Sequence, residues 1–178
     1  MTSAHSDLLD HIDLRQCECL NASKEHTLRH AMELATREDT GCFLQSDCDE
    51  ELLIHITMMQ GCKISAIKIE GPADAAPSSV LLFVNRIGLD FDSAKGEAPT
   101  QTIPLSPAAV SSSAPPVELR YVLFQHVQTL SIFVPGNLGD TEETIISKLV
   151  LIGEPIQHSG LKRTEEQQKA ATTGDWLN

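Results

Sequence analysis

The sequence predicts an all-β protein, an antiparallel β-sandwich with one short N-terminal helix, on three observations. Two β-rich apolar runs flank a short polar link within residues 119–134. Side chains alternate with a period of two in other segments, such as residues 52–59. No segment shows the alternation of strands and long helices that builds a parallel sheet. We therefore expect about seven or eight short strands packed as a sandwich.

Residues 119–134 predict the central hairpin of this sandwich. Its first strand is expected over residues 119–124 and its second over residues 129–134, joined by the polar link 125–128. Both faces of these strands are largely apolar, so the pair should lie in the middle of a sheet that is covered on both sides. Pro135 ends the second strand because proline has no N–H to donate to a ladder.

The N-terminal half predicts a helix followed by strands. Residues 1–14 suggest a loosely attached acidic lead-in, although its four apolar side chains leave docking on the body open. Apolar residues at helical spacing predict a short amphipathic helix over residues 24–34, with Ser23 as a weak cap. Strands are expected over residues 52–59 and around Ile67 and Ile69. Because Ile64 breaks the alternation, either the second strand begins at Ser65 or a bulge lies there.

The C-terminal half predicts three more strands and two polar segments. Residues 80–84 form one strand, and residues 101–105 form an edge strand because they contain Pro104. Residues 106–118 read as a low-complexity loop with little to pack, and therefore as mobile. The last strand is expected over residues 146–152, ended by Gly153. The folded domain then covers residues 15–163, and residues 164–178 form a polar, disordered tail.

Alternating apolar residues in these strands predict the core. Its expected members are Leu52, Ile54, Ile56, Ile67, Ile69, Leu82, Val84, Val122, Phe124, Leu130, Ile132, Val134, Val150 and Ile152.

Composition narrows the classes of partner. The formal net charge is -12, with 13 Lys and Arg against 25 Asp and Glu, so the field of the whole molecule repels phosphate backbones and anionic lipid. We expect no nucleic acid and no membrane as partners, and a monomeric chain. Five cysteines at irregular spacing favour reduced thiols in a cytoplasmic or nuclear compartment. The first 14 residues lack the basic and apolar regions of a signal peptide.

Five motifs, read in order, carry a resemblance to a known family. They are Cys-Glu-Cys-Leu-Asn at 17–21, Ser-Asp-Cys-Asp-Glu-Glu-Leu-Leu-Ile at 46–54, Ile-Lys-Ile-Glu-Gly-Pro at 67–72, Leu-Arg-Tyr-Val-Leu-Phe-Gln at 119–125 and Leu-Ser-Ile-Phe-Val at 130–134. Their order and spacing closely resemble the PITH domain, a proteasome-interacting module found at the C-terminus of a thioredoxin-like protein and in free-standing PITH-domain proteins. The resemblance spans residues 8–163.

The resemblance implies a fold and a partner. The fold is a jelly-roll sandwich similar to galactose-binding-like domains, and the partner is the regulatory particle of the 26S proteasome. It implies no catalytic residue and no cofactor. The chain has no thioredoxin domain with its Cys-x-x-Cys motif, so the redox activity of a thioredoxin-like relative does not carry over. The expected function is that of a non-enzymatic adaptor or accessory protein.

Acidic side chains and a single tryptophan are the candidate partner-binding residues. Acidic rims steer association with a basic partner, and tryptophan is a common anchor in interfaces. Trp176 can alternatively fold back on the sandwich. The candidates are Asp47, Asp49, Glu50, Asp140, Glu142, Glu143 and Trp176.

A zinc site is one alternative to the adaptor hypothesis. Cys17, Cys19, His26 and His30 contain suitable ligand types. However, the Cys-x-Cys spacing fits tetrahedral coordination poorly, and we favour reduced thiols and surface histidines.

Two further alternatives concern redox chemistry and sugars. A thiol pair would use Cys17 with Cys19 or Cys42 with Cys48, but no Cys-x-x-Cys at a helix N-terminus lowers a thiol pKa. A small-ligand or carbohydrate-binding module would need exposed aromatic platforms, which a chain with six Phe and Tyr residues and one Trp supplies poorly.

Overall fold

A computed structural model describes residues 5–157. Its strands are β1 Ser6–Asp7, β2 Glu18–Leu20, β3 Leu44–Gln45, β4 Leu52–Glu70, β5 Ser79–Val84, β6 Gln101–Pro104, β7 Val117–Glu118, β8 Val127–Val134, β9 Ile145–Ile146 and β10 Lys148–Pro155. Its helices are α1 Leu28–Met32 and α2 Phe91–Gly96, with single 3-10 turns at Leu9–His11 and Tyr121–Leu123. None of these described helices is long and apolar enough to cross a membrane.

The 19-residue strand β4 is the spine of the fold. The main sheet runs in the order β1-β10-β4-β8-β5-β6, β2 and β7 also pair with β4, and β3 pairs with β9 in a second, two-stranded sheet. Every pairing is antiparallel. The main sheet is curled, and strands make up most of the regular secondary structure of residues 5–157. The all-β sandwich prediction is confirmed.

The two strands expected on either side of Ile64 are one continuous strand with a bulge. Opposite β10, Ile152 pairs with Ala66 while Gly153 pairs with Ile64, which leaves Ser65 as the extra residue. A Cβ at Gly153 would lie 1.9 Å from the Lys63 carbonyl oxygen, so glycine permits the close approach. Of the two possibilities left open at Ile64, the structure contains the bulge, and no strand begins at Ser65. Gly153, however, does not end the last strand, because β10 continues through it to Pro155.

The first half of the predicted central hairpin is wrong. Only Val117–Glu118 pairs with β4, and the chain then forms the 3-10 turn at Tyr121–Leu123. Leu119 N–H donates to the Ser65 carbonyl and Ile64 N–H donates to the Phe124 carbonyl, so backbone hydrogen bonds tie the two ends of residues 119–124 to β4. These tertiary contacts override the high β propensity of the segment. The second half is confirmed as β8, which lies between β4 and β5.

Helix predictions were partly correct. The helix expected over residues 24–34 is confirmed, but it is shorter, Leu28–Met32. Its N-cap is Thr27 and not Ser23. Thr27 N–H donates a hydrogen bond to His30 Nδ1, which is one half of a reciprocal capping box. Helix α2 was missed, although Asp90 gives a start signal by accepting a hydrogen bond from Ser93 N–H.

Residues 106–118, the serine-proline loop, are held more firmly than their composition suggests. Val110 is buried, and its carbonyl accepts a hydrogen bond from Gly71 N–H. Lys68 is only 7% exposed, and its ammonium donates hydrogen bonds to the carbonyls of Ser111 and Ala114. The prediction that this loop has little to pack is wrong, because a buried cation draws its backbone onto β4.

The N-terminal segment docks on the sheet, which is the second of the two possibilities left open. Leu8 and Ile12 are buried in the main core, and β1 pairs with β10. Arg37 donates to the Asp7 carboxylate at 2.5 Å, which fastens the segment to the loop after α1. At the other end, the predicted tail 164–178 lies outside the described residues.

The core contains most of the side chains expected there. Val84 and Ile152 are only half-buried, and Val122 is 81% exposed because it lies on the 3-10 turn. A second, smaller cluster packs on the opposite face of the sheet, where α2 covers it: Leu53, Phe83, Leu89, Ala94 and Phe133. The central strands are therefore covered on both sides, as expected for β8.

Candidate partner-binding surface

Two acidic loops that are distant in sequence lie side by side. The 46–51 loop leads from β3 to β4, and the 137–144 loop leads from β8 to β9. Because β3 and β9 pair in antiparallel fashion, both loops leave the two-stranded sheet at the same place. Thr144 N–H donates to Ser46 Oγ at 2.9 Å, and Thr144 Oγ1 donates to the Glu50 carbonyl at 2.6 Å. These bonds join the two loops into one surface.

Asn21 fixes the shape of the 46–51 loop. It follows β2 with φ of 65°, a left-handed conformation that asparagine tolerates well. Its Nδ2 donates to Asp49 Oδ1 and to the Glu51 carbonyl, each at 2.7 Å, and its Oδ1 accepts from Cys48 N–H at 3.0 Å. One side chain thus contacts three residues of the loop and limits its freedom.

Asn137 plays the same part in the 137–144 loop. Its Oδ1 accepts from Thr141 N–H at 2.8 Å, while its Nδ2 donates to the Thr141 carbonyl at 2.8 Å and to Thr144 Oγ1 at 3.2 Å. Gly139 also packs closely, because an added Cβ would lie 2.2 Å from the Asp74 carbonyl oxygen. The loop is therefore braced from inside and against a neighbouring segment.

The joined loops present uncompensated negative charge. Asp47, Asp49, Asp140, Glu142 and Glu143 are exposed, while Glu50 is half-buried. Within residues 5–157, no ion pair includes any of these carboxylates. We call these six residues the acidic surface. Like charges on two joined loops raise the local negative potential and favour a cationic partner.

One cation borders the acidic surface. Lys95 of α2 lies 2.9 Å from a carboxylate oxygen of Glu51, the last residue of the 46–51 loop. The hydrogen bond that the Lys95 ammonium donates to the Glu51 carboxylate raises the pKa of Lys95, so the ammonium stays charged. This pair neutralises Glu51, and Lys95 also interacts electrostatically with Asp49 at the edge of the acidic surface.

The structure brings together six of the seven candidate residues, and the seventh, Trp176, lies outside the described residues. Sequence reasoning assigned no role to the residues that hold the loops, namely Asn21, Ser46, Asn137 and Thr144. A usable signal existed, since asparagine and serine next to strand ends commonly bond to nearby backbone.

The model of the PITH domain family matches residues 1–171. The chain belongs to the PITH domain family.

Two relatives illustrate how this PITH domain compares with longer proteins. Thioredoxin-like protein 1 of Schizosaccharomyces pombe is 36% identical over 152 residues, which cover 83% of this chain and 51% of that protein. PITH domain-containing protein 1 of Homo sapiens is 34% identical over 161 residues, which cover 86% of this chain and 71% of that protein. The chain therefore spans about half of the yeast relative and a larger share of the human one.

Solved structures confirm the fold class. The family 32 carbohydrate-binding module of NanJ from Clostridium perfringens, in complex with galactose, matches 84% of this chain and 99% of the module, with a TM-score of 0.54 and 8% identity. A fucolectin from Morone saxatilis matches 85% of this chain and 50% of the lectin, with a TM-score of 0.59 and 10% identity. At such low identity the likeness concerns the sandwich alone.

The cysteines of this PITH domain are unpaired among the described residues. Burial raises the pKa of the Cys17 thiol and raises that of Cys19 to about 12, so neither thiol is activated. Two other members of the hypothetical zinc set have different contacts, since the His26 ring stacks on Phe43 and the His30 ring caps α1. Within residues 5–157, no group of three or more potential ligands converges.

In the described part of this PITH domain, His55 and Ser131 are a hydrogen-bonded pair of the residue types that form catalytic pairs. The His55 Nδ1 atom lies 2.8 Å from Ser131 Oγ, but Ser131 is only 1% exposed. A serine nucleophile must reach its substrate. The contact fits a hydrogen bond between neighbouring strands β4 and β8.

Proposed function

We propose that the chain is a non-enzymatic adaptor that docks on the regulatory particle of the 26S proteasome through its acidic surface. The observation that carries the proposal is the joining of two acidic loops by Thr144, which presents their carboxylates together on a β scaffold. Membership of the PITH domain family supports the choice of partner.

The mechanism is charge complementarity on a preformed surface. Asn21 and Asn137 hold both loops through several hydrogen bonds, so little conformational entropy is lost on binding. Exposed carboxylates without ion pairs attract a basic patch, and they mainly accelerate association and select the partner. Because the charges are exposed, added salt weakens the contact by screening.

A carbohydrate-binding function has less support. The neighbours with sugar ligands share the fold at low identity, which does not transfer a ligand. The Phe and Tyr side chains of residues 5–157 are all buried or half-buried, so the described surface has no exposed Phe or Tyr that could form an aromatic platform.

Co-purification tests the adaptor proposal. The full chain, tagged at its N-terminus, is recovered from cell lysate, and retained proteins are quantified by mass spectrometry. Two variants neutralise one loop each: Asp47→Asn with Asp49→Asn, and Asp140→Asn with Glu142→Gln and Glu143→Gln. Asparagine preserves the acceptor of Asp49 and suits the left-handed φ of 52° at Asp140. We expect proteasome subunits in the wild-type eluate and a several-fold loss in each variant.

Matched controls remove the same charge elsewhere. Asp10→Asn with Asp39→Asn matches the double variant, and Asp10→Asn with Glu25→Gln and Glu118→Gln matches the triple variant. These residues are exposed and form no ion pair within residues 5–157. Equal losses in variants and controls would show that net charge alone causes the effect and that the acidic surface is not the binding site. Absence of proteasome subunits from the wild-type eluate would refute the proposal.

A further inference from the structure

The 3-10 turn at Tyr121–Leu123 presents apolar side chains in a fixed position. Val122 is 81% exposed and Leu123 is 43% exposed. Hydrogen bonds flank the turn on both sides, from Leu119 N–H to the Ser65 carbonyl at 2.9 Å and from Ile64 N–H to the Phe124 carbonyl at 3.0 Å. Two adjacent aliphatic residues on a braced turn form a small apolar patch, which we call the apolar turn.

The described chain ends near His126, three residues after the apolar turn. Ile156 N–H donates to the Gly61 carbonyl at 2.9 Å. A Cβ placed at Gly61 would lie 3.0 Å from the His126 ring and 3.4 Å from Ile156 Cδ1. His126 and Ile156 therefore flank the same point of β4, and His126 is only three residues beyond Leu123. Ile156, the second-last described residue, thus lies beside the segment that carries the turn.

The remaining sequence is long enough to return to the apolar turn. Residues 158–178 contain one adjacent pair of large apolar residues, Trp176 and Leu177. For a random coil, the 19 residues of sequence from Gln157 to Trp176 correspond to a root-mean-square span of roughly 24 Å. Such a tether gives an effective concentration on the order of millimolar, so even a weak contact is populated within one molecule.

Charge also favours this contact. Arg120 immediately precedes the apolar turn, is exposed, and has no ion pair within residues 5–157. Asp175 immediately precedes Trp176 in the sequence. A tail that places Trp176 on Val122 brings the carboxylate of Asp175 near the guanidinium of Arg120. An apolar contact and an ion pair then act together.

We propose that the apolar turn is the docking site of the chain's own C-terminal segment, with Trp176 and Leu177 packed on Val122 and Leu123. The contact shields the exposed aliphatic side chains within the same molecule. It does not depend on the acidic surface or on any partner, so it stands or falls separately from the adaptor proposal.

Tryptophan fluorescence of the purified full chain tests this inference, because Trp176 is the only tryptophan. We expect a blue-shifted emission maximum and several-fold weaker acrylamide quenching than for N-acetyl-tryptophanamide. Val122→Gln should shift the emission to the red and restore quenching. Leu34→Gln is the matched control, because Leu34 is also an exposed aliphatic residue, 65% accessible, in the loop after α1. It should leave both measurements unchanged.

Hydrogen exchange supplies a second readout from the turn itself. Trp176→Ala should accelerate exchange of the backbone amides of residues 121–123 several-fold, with no change in β4. Solvent-like emission in the wild-type chain, or equal effects of Val122→Gln and Leu34→Gln, would overturn the inference. A blue shift that disappears on dilution would also overturn it, because a second copy of the chain would then cover the turn.

Discussion

Replacing Thr144 with valine tests whether this residue joins the two acidic loops. Thr144 is 0% exposed, its Oγ1 donates to the Glu50 carbonyl at 2.6 Å, and it accepts from Asn137 Nδ2 at 3.2 Å. Valine keeps the shape of the side chain and removes both bonds. The Glu50 carbonyl loses this partner, while Asn137 keeps the Thr141 carbonyl. A buried polar group left unsatisfied costs about 1–3 kcal/mol.

Equilibrium unfolding in urea, followed by far-UV circular dichroism, measures this loss. A decrease of about 2 kcal/mol in the free energy of unfolding corresponds to a Tm lowered by roughly 4–8 °C for a domain of this size. Thr102→Val is the control, because Thr102 is exposed on edge strand β6 and valine suits a strand. Surface changes of this kind stay within about 0.5 kcal/mol. Equal stabilities for the two variants would refute the bridging role of the Thr144 hydroxyl.

Three other predictions concern the scaffold. Gly153→Ala should lower the free energy of unfolding by about 1–3 kcal/mol, since the Cβ would clash with backbone; Gly136→Ala, with open space around it, should not, and thermal melts of both decide. Burial raises the pKa of Cys19 to about 12, above the ordinary value of 9.0, so its contribution to stability is present below pH 9 and is lost as pH rises towards 12. At pH 8, iodoacetamide should therefore modify exposed Cys48 and spare Cys19; equal labelling in the native state would contradict the burial argument. Lys68→Met should release the serine-proline loop and speed its cleavage in limited proteolysis, whereas unchanged cleavage would show that the lysine does not hold it.

The apolar pattern of the sequence predicted most of the sheet, because burial of one or both faces of a strand determines which of its residues are apolar. Alternation predicted much of β4, and apolar runs covered on both faces predicted β5 and β8. The apolar pattern failed at residues 119–124, where the same β-rich composition forms a 3-10 turn. Contacts with β4 at Ser65 and Ile64 decide that segment, and no local pattern encodes them.

The candidate site shows a similar division. Acidic residues could be singled out from sequence because charge is visible there. Their assembly into one surface could not, because it depends on the β3 and β9 pairing and on hydrogen bonds across 94 residues of sequence. The serine-proline loop shows the opposite error, since composition suggested looseness while the buried Lys68 binds its backbone.

Direct binding of the purified full chain to purified 26S proteasome, measured by biolayer interferometry over a series of salt concentrations, tests the adaptor proposal most directly. Neutralising Asp47, Asp49, Asp140, Glu142 and Glu143 together should weaken binding by about fivefold or more, since each exposed charge contributes about 0.2–1 kcal/mol and 1.4 kcal/mol is a factor of ten. The salt dependence should become shallower in the same variant. Unchanged affinity with unchanged salt dependence, or no binding of the wild-type chain, would contradict the proposal.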